Sequence, residues 1–147
     1  MKITFTNKLK AFIPYFFVMI ALCCLSYLLV YKAAFLPNGY EIKSGQKNEL
    51  TITSFSLIGK EKTIQTIDYS KQDEWKLEEI EVAVKMQKDA SWLLYTALGI
   101  SFTLIIMRVR NGMHVRKAIS QSNLIFAILI PLVPLVSAWN RIQSLIA

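Results

Sequence analysis

Tyr69, Ser70, Asp73 and Glu74 place a phenol, a hydroxyl and two carboxylates close together in the sequence. A small membrane enzyme acting on lipid or peptide could draw a nucleophile and a proton acceptor from such a set. The third member of the usual serine triad is missing here, because the only histidine, His114, lies far along the chain in a different segment. No GxSxG elbow, HExxH motif or GxxxxGK[ST] phosphate loop occurs anywhere.

Metal and redox chemistry fare no better. Glu78, Glu79, Glu81 and Asp89 could gather a cation, but Lys76, Lys85 and Lys88 alternate with them and make a solvated, charged face. Cys23 and Cys24 are adjacent within an apolar run. Consecutive helical side chains diverge by about 100°, which is poor geometry for a disulfide. The pair also lacks the CxxC spacing of a redox couple, so packing is its expected role. No catalytic residue, cofactor site or metal ligand is expected.

Residues 108–117, RVRNGMHVRK, are the strongest charge cluster, with Arg108, Arg110, Arg116 and Lys117 around His114. A nucleic-acid surface would add interleaved aromatics or a helix-turn-helix pattern, and neither is present. The patch lies between two uncharged apolar stretches, where anionic headgroups attract each basic residue by about 1 kcal/mol. Lipid is therefore the expected contact, and nucleic acid is not. His114 has no acidic neighbour in the loop and reads as an ordinary polar loop residue.

The elements that position these residues follow from where the charge sits. All ten acidic residues fall between Glu41 and Asp89, together with eight of the 17 basic ones. The rest of the chain is purely basic. Uncharged apolar runs at 11–31, 90–107 and 118–140 are each near the roughly 20 residues that cross a bilayer, the third being most apolar from Leu124 onward. The expected fold is an α-helical integral membrane protein with three transmembrane helices and a small β-containing or α/β insertion between the first two. The first run is aromatic-rich and lacks a small-x-small cleavage pattern, so it is expected to be an uncleaved anchor.

Lys2, Lys8 and Lys10 precede the first span, and the 108–117 patch separates the second and third. The positive-inside rule puts both on the cytoplasmic side, most simply of a bacterial inner membrane. This gives a cytoplasmic segment at 1–10, a first span and its exit at 11–36, and an acidic external module at 37–89. A second span at 90–107, a cytoplasmic loop at 108–117, a third span at 118–140 and a short external tail at 141–147 complete the order.

Within the module, 50–58 and 61–69 read as a hairpin reversed at Gly59–Lys60, with a short leading strand around 40–43. Residues 73–89 satisfy two periods. Ile80, Val82, Val84 and Met86 alternate as in a strand, whereas Trp75, Leu77, Ile80, Ala83 and Val84 line a helical face.

The spans contain no central ionisable residue, which disfavours an ion or proton pathway. They do offer contact chemistry. Ala97 with Ser101, and Gly99 with Thr103, form small-xxx-small pairs that allow close helix approach. Pro131 and Pro134 remove backbone donors and bend the third span. The expectation is a non-catalytic accessory, regulatory or protective membrane protein, an immunity protein among the possibilities. It would bind lipid and another membrane protein, or itself, through these positions and through Trp75, Glu78, Glu79 and Glu81. The alternatives are a structural subunit of a respiratory or transport complex, or the small membrane enzyme considered above.

Overall fold

A computed structural model describes residues 2–46, 49–68 and 74–147. It consists of α1 (Lys2–Tyr27) continued by a π-helical turn (Leu28–Lys32), β1 (Tyr40–Gln46), β2 (Glu49–Phe55) and β3 (Glu61–Asp68). After these come α2 (Glu74–Arg110), α3 (Val115–Gln121) and α4 (Leu124–Ile146). Three helical segments, Phe12–Lys32, Glu74–Arg110 and Leu124–Ile146, are long and apolar enough to cross a membrane. A small three-stranded sheet lies between the first and second of them.

The two periods competing over 73–89 are resolved by burial. Ile80, Ala83, Val84, Gln87, Ala90 and Ser91 are buried, a helical spacing, and Val82 is 60% exposed. The segment is rich in good helix formers and contains neither glycine nor proline, so nothing interrupts it before the apolar run that follows. The result is one helix of 37 residues, about 55 Å long.

The leading strand is longer than the sequence suggests. All three strands are antiparallel in the order β1-β2-β3, with irregularities between Ile42 and Ser44 and between Ser54 and Phe55. The hairpin reverses over 56–60, where Gly59 has φ +75°. A Cβ there would stand 2.7 Å from the Phe35 ring, so both backbone and neighbour require glycine.

Alternation along β2 turns Leu50 and Ile52 toward the helices. They join Ile80, Ala83 and Val84 of α2 and Ile142 of α4 in the main core, with Leu145 and Ile146 packed alongside. Residues 141–146, expected as a tail, are therefore the last turns of α4 and form part of the floor beneath the sheet. A second cluster, Val30, Leu36 and Phe55 with Tyr31, Trp92 and Tyr95, ties the π-turn to the base of the sheet.

The run at 118–140 also divides differently. Residues Ala118–Gln121 belong to α3, and Asn123, at φ 54°, breaks the path before α4. Asparagine tolerates this left-handed conformation better than most residues. The polar stretch SQSN thus ends one helix, and the apolar residues from Leu124 begin the next. Pro131 and Pro134 lie inside α4 without ending it, and Pro131 is buried.

Candidate functional site

Gln87 fixes the sheet to α2. Its side chain is fully buried, and its amide makes a two-way bond with the backbone of Tyr40. Oε1 accepts from the Tyr40 N–H at 3.0 Å, and Nε2 donates to the Tyr40 carbonyl at 3.0 Å. The carboxamide thus satisfies both backbone groups of one β1 residue, as a neighbouring strand would. Gly39 makes the approach possible, since a Cβ there would lie 2.8 Å from Gln87 Nε2. Lys88 pairs with Glu41 at 2.9 Å, and Arg141 of α4 pairs with Glu79 of α2 at 3.0 Å.

Beside this junction, the 36–39 turn, the sheet and the end of α4 enclose a cleft of about 340 Å³. Asn38, Tyr40, Ser54, Lys62, Asn140 and Gln143 face it, with Trp139 and Phe55 completing the wall. Asn38 reaches it from a left-handed backbone position, φ 53°, while its N–H bonds the Ser56 carbonyl. The lining supplies carboxamides, hydroxyls and one ammonium, and no carboxylate. It suits an acceptor-rich group such as a peptide carbonyl or a carboxylate. Ser54 Oγ donates to the Thr63 carbonyl at 3.3 Å, and no histidine, Asp or Glu lines the cleft to activate it.

A second surface is the outward face of α2. Trp75 is 53% and Val82 60% exposed, two turns apart, with Glu78 and Glu81 exposed beside them. Glu79 is half-buried and held by Arg141, so it braces the α2–α4 contact. Tyr69, Ser70 and Asp73 lie outside the described residues, and Glu74 is exposed at the start of α2.

The small-xxx-small residues fall on two sides of α2. Gly99 meets α1: a Cβ built there would stand 3.2 Å from Leu22 Cδ2. Thr103 Oγ1 donates to the Gly99 carbonyl at 2.8 Å. Ser101 is buried and Ala97 half-buried, both about 160–200° around the helix from Gly99. Trp92 Nε1 donates to the Cys23 carbonyl at 3.1 Å, a further tie between α1 and α2. Pro134 is half-buried in α4.

The basic residues gather at the opposite end from the sheet. Lys10, Arg110, Arg116 and Lys117 are exposed, as is His114, which precedes α3. Arg108 is half-buried, and its Nη1 has no acceptor among the described residues. Lys2 and Lys8 belong to the first turns of α1, and their side chains lie outside the described set.

Sequence reasoning missed the cleft. Its one legible signal was the polar set Trp139, Asn140 and Gln143 at the end of an otherwise apolar helix. Comparisons with protein-family models, curated proteins and solved structures find no match to this chain.

Proposed function

We propose that the chain is an integral protein of a bacterial cytoplasmic membrane that acts without catalysis, as an accessory, regulatory or protective partner of another membrane protein. The single observation that carries this reading is the Trp75–Val82 face of α2, apolar side chains left uncovered on a segment otherwise rich in charge. Tryptophan in such a setting is a frequent anchor of interfaces. Glu78 and Glu81 at its edge favour a partner surface that is apolar at its centre and basic at its rim.

Membrane insertion underlies the proposal. Phe12 to Ile20 of α1 are exposed without exception, and so are Ile125, Phe126, Leu129, Ile130 and Val133 of α4. Lipid is the solvent that makes such surfaces stable. The sheet covers one end of the bundle and the basic residues the other. Lysine and arginine at that second end support a reading in which it lies, with the N-terminus, on the cytoplasmic side, and the sheet and the C-terminus outside. Leu57 and Ile58, each 74% exposed at the β2–β3 turn, adjoin Gly59, which packs on Phe35. In this reading they face the outer headgroups.

Orientation is tested by labelling. In a chain with Cys23 and Cys24 replaced by serine, Lys60→Cys should react with an impermeant maleimide in intact cells, and Ser120→Cys only after lysis. Equal labelling of Ser120→Cys from outside would overturn this arrangement.

Partner recognition is tested by a photo-crosslinking residue placed at Val82 in native membranes. One discrete membrane-protein adduct should form there and not from Ile106, which is 59% exposed on the apolar part of the same helix. Glu78→Lys combined with Glu81→Lys should weaken that adduct by about 5-fold or more at low salt, and by less at high salt. An adduct indifferent to both substitutions, or equally strong from Ile106, would remove this face from the proposal.

A further inference from the structure

Between α1 and α2 runs an open apolar groove of about 250 Å³, with Phe12, Tyr15 and Met19 on one wall and Ile100, Leu104 and Met107 on the other. Leu22 closes one end of the groove against Gly99, and Tyr15 and Met107 stand at the other. From Leu22 to Phe12 the groove follows α1 for about 15 Å. That is half of a hydrocarbon core about 30 Å thick, or one leaflet.

The open end is polar and cationic. Tyr15 and Met107 also line a recess of about 380 Å³ with Arg110 and Asn111. Lys10 is exposed one and a half turns below Tyr15, and no acidic residue occurs in the chain outside 41–89. An apolar channel one leaflet long, opening onto an uncompensated guanidinium, a phenol and a carboxamide, matches one amphiphile in both parts.

We infer that this groove is a binding site for an anionic phospholipid of the cytoplasmic leaflet. One acyl chain lies between α1 and α2, and the headgroup phosphate accepts hydrogen bonds from Arg110 and its neighbours Tyr15 and Asn111. The bound lipid fills the space between the two helices on the Phe12–Met107 side of the Leu22–Gly99 contact. The inference rests on the membrane-spanning reading above.

The test uses the full chain, purified in mild detergent and stripped of lipid. Native mass spectrometry would follow retention of phosphatidylglycerol against phosphatidylcholine of the same acyl chains. The wild-type chain should keep one phosphatidylglycerol in preference to phosphatidylcholine. Arg110→Gln, an exposed position, should lower phosphatidylglycerol retention by about 5-fold and bring the two lipids level. Leu104→Trp, which fills the groove, should reduce retention of both. Inorganic phosphate should not displace the lipid.

Equal retention of the two lipids by the wild-type chain overturns the site, as does unchanged retention in Arg110→Gln. Full displacement by phosphate would leave an anion site without an acyl channel and also overturns it. Alkaline extraction of the source membranes is read in parallel. A chain released by carbonate would overturn the membrane-spanning reading itself, whereas a retained chain without lipid preference overturns only the groove.

Discussion

Gln87→Leu is expected to release the sheet from α2 while leaving the three apolar helices associated with the bilayer. Leucine fills a similar volume, but it strands the N–H and the carbonyl of Tyr40, which Gln87 satisfies at 3.0 Å each. With about 1–3 kcal/mol lost per stranded group, and Tyr40 only partly shielded from water, the cost should be on the order of 2–4 kcal/mol. Amide exchange read by mass spectrometry should show β1 losing protection while the apolar part of α2 keeps it. Gln87→Glu separates hydrogen bonding from shape. Its carboxylate can still accept from the Tyr40 N–H, but it sets a buried negative charge against the carbonyl oxygen, so a loss at least as large is expected. If β1 protection in Gln87→Leu matches wild type, the clasp does not hold the sheet.

Gly99→Leu should move α1 away from α2. The contact with Leu22 is already tight at 3.2 Å for a Cβ alone, and three further carbons have to displace the Leu22 side chain or the helix that carries it. Overpacking of this kind typically costs about 1–3 kcal/mol. Spin labels on cysteines introduced at Leu9 and Val109, both exposed, would report the separation directly in a chain lacking the native cysteines. Gly99→Ala should shift the distance little, since the end of the Leu22 side chain can yield. Leu22→Ala should partly rescue Gly99→Leu, a coupling that identifies the pair as contacting neighbours. An unchanged distance in Gly99→Leu, together with a lost photo-adduct, would instead assign Gly99 to a partner helix.

What could be read beforehand divides along physical lines. The three apolar helices were legible because their composition alone separates them from the acidic segment. The hairpin was legible because β-branched strands flank a Gly-Lys reversal at 59–60. The full length of β1 was not, since YEIKSGQ carries little apolar alternation and its Tyr40 end is completed by Gln87, a side chain 47 residues away. Helix and strand periods tied over 73–89, and a tertiary fact decided between them: the sheet needed a helical face to cover Leu50 and Ile52. The uncharged run stops at Asn140 because Arg141 carries a charge, whereas α4 continues to Ile146. Ile142, Leu145 and Ile146, at i, i+3 and i+4, were the overlooked sign that the helix continued. The cleft draws its lining from four separate segments, a grouping that no local pattern contains.

The unbroken course of α2 has a mechanical meaning. Trp75 near one end and Met107 near the other belong to a single rod, with no proline or loop between them to absorb rotation. A partner that tilts or twists the Trp75–Val82 face must turn the wall of the groove 25 residues farther along. Binding on one side of the bilayer and lipid occupancy on the other would then share one lever, each able to alter the other's affinity by the same factor. Such a shaft would let an event at one membrane face be felt at the other.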